Sequence, residues 1–163
     1  MDCRNIQFQY TEVLSEADLD QLMRLFRAAA FWASDREASG MATAIAHSHP
    51  VVTAWDGETL IGFARATSDG VFRATIWDVV IDPNYQGGGL GRKMVETLLS
   101  HPHMSRVERV YLMTTHQQGF YQRIGFTENS TTTLVLHNSA VELLPALRGR
   151  LKSRTVSKKA HTV

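Results

Sequence analysis

The chain has 163 residues, 44% of them hydrophobic and 20% charged, the balance of a globular domain able to close one core without disulfide or metal staples. That balance excludes a disordered chain, a coiled coil and a collagen-like rod, and no apolar run approaches the roughly 20 residues of a membrane helix. Its 17 Lys and Arg against 16 Asp and Glu conceal an asymmetry: six basic residues and no acid lie from Arg148 onward, so the preceding 147 residues hold 11 basic and 16 acidic side chains, a net of −5.

At the start of the chain, Met-Asp-Cys-Arg-Asn lacks an apolar signal core, and the single cysteine, Cys3, can form no internal disulfide. Both fit a cytoplasmic protein. A nucleophilic role for Cys3 is disfavoured by a position where chain ends fray. Ile6 to Val13 alternates in part and predicts a first strand. Ser15 to Ala30 predicts a helix, with Ser15 as N-cap, Asp18 three residues on, and Leu19, Leu22, Met23 and Phe26 at i, i+3, i+4, i+7. A second helix is expected from Asp35 to His47, stopped by Pro50. Val51–Trp55 and Leu60–Ala66 flank Asp56-Gly57 and predict a hairpin. After a turn at Ser68-Asp69-Gly70, Phe72 to Ile81 reads as a strand ended by Asp82-Pro83-Asn84. Gly91 to Ser100 follows as a helix whose buried face is Met94, Val95, Leu98 and Leu99. A strand over Val107–Met113, a short helix over Gln117–Ile124 and a closing strand over Thr131–His137 complete the pattern. Ala140 to Leu151 predicts one more amphipathic helix, and residues 152–163 a basic, disordered tail, giving one domain over residues 1–151. The order β-α-α-β-β-β-α-β-α-β is that of an α/β (α+β) mixed sheet with one crossover.

The most informative stretch runs from Val79 through Asp82-Pro83-Asn84-Tyr85-Gln86 to Gly87-Gly88-Gly89-Leu90-Gly91-Arg92-Lys93. A strand turns sharply into glycines and opens a helix, so successive N–H groups and the helix N-terminus converge on an anion, most often a phosphate. A plain turn needs one or two glycines, whereas four of the five positions from Gly87 to Gly91 are glycine. The dinucleotide pattern G-x-G-x-x-G fails because its last position falls on Arg92, and this strand is not the first of a βαβ unit. The nucleoside-triphosphate loop fails because Gly91 is followed by Arg92, Lys93 and Met94. What remains is Gln-x-x-Gly-x-Gly, from Gln86 to Gly91, directly after a strand ending in Asp-Pro.

In this motif the sequence resembles the GNAT acyl-CoA N-acetyltransferases, whose central element is a strand, Val-Asp-Pro or a variant, then Arg/Gln-x-x-Gly-x-Gly/Ala and a helix. Downstream, Tyr121-Gln122-Arg123-Ile124-Gly125-Phe126 matches the family's Tyr-x-x-x-Gly-Phe. The resemblance extends from Val51 to Phe126, with the first fifty residues similar in layout. Within the family, Ala64–Asp69 and Ala74–Val79 resemble the plastid and cyanobacterial branch, which includes serotonin N-acetyltransferases.

The resemblance implies a GNAT fold and acetyl-CoA as co-substrate, with its pyrophosphate on the amides of Gly87, Gly88, Gly89, Leu90 and Gly91, Gln86 and Arg92 alongside, and its pantetheine arm along Val79, Val80 and Ile81. It implies further that this strand parts from the next, and that the Val79 N–H or a neighbour polarises the thioester carbonyl. Tyr121 stands where the family places the acid that protonates the departing thiolate, and a phenol with an ordinary pKa of about 10 can supply that proton. The bland alternative is a core tyrosine. An attacking amine must itself lose a proton. Asp78 is a carboxylate in an apolar strand and needs a partner or a purpose, either as that base or amine-binding group, or in a structural hydrogen bond. The family's Asn or Asp seven residues before the tyrosine is here Thr114, and His116 is an alternative proton acceptor, though loop histidines are usually just solvated.

Trp32 and Trp77 are weaker candidates for an acceptor pocket, alongside Phe31. His47 and His49, and His101 and His103, are spaced as metal ligands but lack any supporting pattern, so no metal is expected. The basic tail carries no interleaved aromatics, and neither nucleic acid nor membrane is expected as a partner. The fold often forms homodimers through its C-terminal strands. The resemblance thus implies an acetyl-CoA-dependent N-acetyltransferase acting through a direct ternary complex on a primary amine, foremost an arylalkylamine such as serotonin. A protein lysine or N-terminus is the alternative acceptor, and a non-catalytic acyl-CoA-binding module the rival. The compartment implied is the cytoplasm, or the chloroplast stroma for a plastid protein.

Overall fold

The computed structural model describes residues 5–135. Cys3, the expected helix over 140–151 and the expected tail over 152–163 lie outside the described residues. Two units are distinguished, one running to Phe126 and one from Thr127 on. In the second unit the expected strand over Thr131–His137 does not form across residues 131–135. A strand exists only through a ladder partner, and the β-favouring threonines here have none among the described residues. Instead the Asn129 side-chain amide donates to the Thr131 hydroxyl at 2.8 Å and bends the chain.

The first unit opens with strand β1 (Ile6–Tyr10), shorter than its alternation suggests, and helix α1 (Glu16–Ala29). Ser15 caps α1, accepting from the Asp18 N–H at 3.2 Å. Leu22, Met23, Leu25 and Phe26 are its buried face. A 3-10 turn (Phe31–Ala33) leads to α2 (Ala38–Ala46), β2 (Val51–Asp56), β3 (Thr59–Ser68) and β4 (Arg73–Ile81). Helix α3 (Leu90–Ser100), the single-turn α4 (Pro102–Ser105), β5 (Arg109–Tyr111) and α5 (Gln118–Gln122) complete the unit.

Among the described residues five strands form one sheet in the order 1-2-3-4-5, antiparallel up to β4, with β5 parallel to β4. Helices cover both faces. On one, Met94, Val95 and Leu98 of α3 pack on Val52, Ala54, Ile61, Ala64 and Ile76. On the other, α1 and α2 pack Leu22, Phe26, Met41 and Ile45 on Val51, Leu60, Phe63 and Val80. Phe26 and Phe63 meet edge to face at 5.9 Å.

Two departures from ideal sheet geometry shape the site. Asp78 and Val79 together stand opposite Ala64, between the pairs Arg65↔Trp77 and Phe63↔Val80. This is a β-bulge, and Asp78 takes it with φ 55, a left-handed backbone that asparagine and aspartate tolerate best among residues with a side chain. The extra residue reverses the alternation of β4. Ala74 and Ile76 face α3 before the bulge, Val79 and Ile81 after it, and Val80 turns to α1. Second, β5 pairs with β4 only at Arg73↔Arg109, Ala74↔Val110 and Thr75↔Tyr111. Beyond Thr75, β4 continues to Ile81 with no ladder partner on that side among the described residues, and a cleft opens there.

Candidate functional site

The cleft has a volume of about 540 Å³ and draws its walls from four segments. The end of β4 supplies Val79, Val80 and Ile81. The glycine loop and first turn of α3 supply Gln86, Gly87, Gly89, Leu90, Gly91 and Arg92. The α5 segment supplies Gln117, Phe120, Tyr121, Arg123 and Ile124, and the end of α1 and the following turn supply Ala29 and Trp32. The loop is tied from within. Asp82 accepts from the backbone and side chain of Asn84 at 2.8 and 3.0 Å. The Gln86 amide donates to the Ile81 carbonyl at 3.0 Å, and the Tyr85 hydroxyl donates to Asp56 at 2.8 Å, which raises the Tyr85 pKa.

Past Gln86 the backbone turns outward. Gly87 and Gly89 hold φ 84 and φ 80, and a β-carbon on either would meet no protein atom within 4 Å. Their bare faces thus look onto open space above the loop. Gly89 caps α3 with no side-chain bond, and among the described residues the N–H groups from Gly87 to Arg92 have no internal acceptor. Unmet donors at a helix start form a cradle for an anion. The basic side chain of Arg92 borders it, paired at 2.7 Å with Glu96 on the exposed helix surface.

Tyr121 lies on α5 with its ring between Phe120 and Phe126, at centroid distances of 4.9 and 5.8 Å. Burial raises its pKa, so the protonated phenol persists through the neutral range. Thr114, in the place of the family's Asn or Asp, accepts from the Gln117 N–H at 3.1 Å and helps start α5. At the other end of the cleft Trp32 is 51% exposed, with the still more exposed Phe31 set edge-on against it at 5.2 Å.

Of the residues singled out from sequence, Gly88, Trp77 and Asp78 do not line the cleft. Gly88 lies within the loop but off its wall. Trp77 precedes the bulge and is directed to the face opposite Ile76. There its indole N–H donates to Thr67 at 2.9 Å under the Arg65 guanidinium. The bulge puts Trp77 and Val79 on opposite faces of β4, so Trp77, a weaker acceptor-pocket candidate from sequence, is not on the cleft wall. The Asp78 side chain is 4% exposed and has each oxygen on an arginine, Oδ1 2.8 Å from Arg36 and Oδ2 2.7 Å from Arg65. His116 is exposed and off the cleft wall.

Sequence reasoning missed Ala29, Gln117, Phe120, Arg123 and Ile124 as cleft residues. The last three were within reach, since Phe120 and Ile124 stand at i, i+4 in the helix expected over Gln117–Ile124 and Arg123 lies inside the tyrosine motif. The two histidine pairs were read separately, yet the fold sets His49 edge-on against both His101 and His103, at 4.7 and 5.1 Å. Among the described residues no group of three or more His, Cys, Asp or Glu is arranged to hold a metal ion, and no helix is long and apolar enough to cross a membrane.

Comparison with known proteins agrees with this geometry. The model of the acetyltransferase (GNAT) family matches residues 19–126. An uncharacterized N-acetyltransferase, ycf52-like, of Prochlorococcus marinus is 37% identical over 134 residues, covering 77% of this chain and 73% of that protein. The chloroplastic GCN5-related N-acetyltransferase 1 of Arabidopsis thaliana is 35% identical over 115 residues, covering 69% and 57%. The chain spans only 26% and 57% of the length of the first two curated relatives it matches. Among solved structures, a GNAT-family acetyltransferase from Streptococcus pneumoniae superposes with a TM-score of 0.67 at 22% identity, covering 82% of this chain and 98% of its own.

Proposed function

From the premise that this chain belongs to the GNAT acetyltransferase family, we propose that it transfers acetyl from acetyl-CoA to the primary amine of an arylalkylamine, serotonin being the model acceptor. Members of the family use acetyl-CoA as co-substrate and act on an amine acceptor. The observation that carries the reading is the pairing, in one cleft, of an unmet row of backbone donors from Gly87 to Arg92 with a protonated phenol at Tyr121. The bare Gly87 and Gly89 suit close approach of a pyrophosphate to the backbone, where a β-carbon would hold it off. Arg92 and Arg123 add positive charge beside it. The unpaired edge of β4 from Val79 to Ile81 offers N–H and C=O groups to an amide-bearing arm and a donor for charge developing on the carbonyl oxygen.

Acetyl-CoA supplies the activated thioester. The chain's own residues hold it and manage the leaving group. In this reading the neutral amine attacks the thioester carbonyl directly in a ternary complex, and Tyr121 donates its phenolic proton to the sulfur as the C–S bond breaks. The proton shed by the nitrogen passes to solvent water, from which the phenol is restored. Trp32, on the cleft wall with Phe31 beside it, offers aromatic surface to the acceptor. A compartment in common with the chloroplastic and cyanobacterial relatives, the plastid stroma or the cytoplasm, is part of the proposal.

A second reading takes a protein lysine or N-terminus as acceptor. It is favoured by the exposure of Phe31, 74%, which leaves the aromatic edge open to a larger partner. Thiol release from acetyl-CoA against serotonin, tryptamine, polyamines and a lysine peptide separates the two. Turnover with the arylalkylamines well above the peptide supports the first, and peptide turnover alone the second. Acetyl-CoA binding with no turnover on any amine would turn the assignment to a binding module.

A further inference from the structure

Asp78 lies at the meeting point of three segments. Its Oδ1 pairs with Arg36, in the connection that runs from Trp32 to α2, and its Oδ2 with Arg65 of β3. Arg65 in turn donates at 3.1 Å to the Ser48 hydroxyl, which donates at 2.6 Å to the Ala44 carbonyl of α2. Arg36 covers the Phe26 ring at 5.6 Å. The same aspartate carries the φ 55 backbone of the bulge, so its position determines which way Val79 and Ile81 face. One buried carboxylate thereby joins the strand that presents Val79 to the connection that presents Trp32.

A general base needs a lone pair within reach of the acceptor amine. Both Asp78 oxygens are directed at guanidinium groups and the side chain is off the cleft wall, so neither faces an amine in the cleft. We propose that Asp78 is a positioning residue, acting through Arg36 and the bulge to hold Trp32 and Val79 at a fixed separation across the acceptor end of the cleft. The inference rests on the acceptor entering beside Trp32, as the preceding reading has it.

The test compares Arg36→Gln, Arg36→Lys and Asp78→Asn in the full chain. The Arg36 side chain is 37% exposed and its loss leaves Asp78 paired with Arg65, so the fold is expected to persist at some cost in Tm. In Arg36→Gln the KM for the amine rises about tenfold, the acetyl-CoA dissociation constant stays within about twofold, and Arg36→Lys recovers part of the loss. An unchanged amine KM overturns the proposal, as does a parallel rise in both constants that tracks a lower Tm. Asp78→Asn lowers kcat/KM across the pH range without altering the shape of the profile. Disappearance of its acidic limb would make Asp78 the base and overturn the proposal. If the wild-type chain acetylates no amine, the acceptor reading fails by itself, and hydrogen exchange decides the inference. Amides 31–36 exchange faster in Arg36→Gln if Asp78 holds that connection, and at the wild-type rate if it does not.

Discussion

Gly91 lies against Phe120: a β-carbon at position 91 would stand 3.5 Å from Phe120 Cζ. The contact joins the two sequence motifs, because Gly91 opens α3 beside the anion cradle and Phe120 precedes the phenol of Tyr121. At 3.5 Å an added methyl is in ordinary van der Waals contact. Gly91→Ala is therefore expected to fold, to gain about 0.5–1 kcal/mol from helix propensity, and to keep turnover within a few-fold. Gly91→Leu displaces Phe120 and with it Tyr121. Its kcat falls more than its acetyl-CoA affinity, as steady-state kinetics and calorimetry on the two variants would register.

Gly89 is the contrasting position in the same loop. At φ 80 alanine costs about 1–2 kcal/mol of backbone strain, and its methyl points to the space the ligand needs. Gly89→Ala should weaken acetyl-CoA binding by tenfold or more on the order of a lost charge-assisted contact, with kcat at saturation much less affected. Equal affinity in the variant removes the cradle assignment.

Tyr121→Phe keeps the packing against Phe120 and Phe126 and removes only the hydroxyl. Acetyl-CoA should bind as before while kcat falls by about 10²-fold or more, the usual worth of a placed proton donor. Because burial raises the phenol's pKa above 10.0, its protonated form is lost only at still higher pH. The kcat profile should therefore show no alkaline fall near pH 8 or 9 that depends on Tyr121. Such a fall, present in the wild type and absent from the phenylalanine variant, would keep Tyr121 as the acid and contradict the raised pKa; unchanged kcat in Tyr121→Phe contradicts the assignment.

The histidine cluster sets a pH dependence of stability. Burial lowers the His101 pKa below 6.5, and His49 and His103 add repulsion. His101 Nδ1 also accepts from the His103 N–H at 3.1 Å, and Tyr10 packs on its ring at 4.7 Å. With the folded-state pKa depressed, the unfolded chain takes up the proton first, so stability is full above the unfolded value and falls as the pH drops through about 6.5. His101→Asn should flatten the decline in Tm between about pH 7 and 5. An equally steep decline in the variant places its origin elsewhere.

Local chemistry made much of this legible before any coordinates. The Ser15 cap, the Leu22–Phe26 stripe and the Gly57 turn each act within a few residues, and α1 and the β2–β3 hairpin form where they say. The outward turn of the glycine loop was legible because four glycines in five positions before a helix exceed what a plain turn needs. The bulge was not, since a left-handed backbone at Asp78 leaves no mark in hydrophobic alternation, and it is the bulge that puts Trp77 and Val79 on opposite faces. Nor were the partners of Asp78, because Arg36 and Arg65 reach it only after three segments have folded together. The histidine cluster is likewise a product of tertiary structure, bringing His49 to residues more than fifty positions away.

The bonds inside the glycine loop bear on how a ligand arrives. With Gln86 fixed to the Ile81 carbonyl, Asn84 to Asp82 and Tyr85 to Asp56, the donors stand in place before anything occupies them. Association then has little chain to order, so the entropy lost on binding is chiefly the ligand's own. The on-rate should accordingly follow diffusion and ionic strength rather than a conformational step, with a single kinetic phase whose rate rises linearly with ligand concentration.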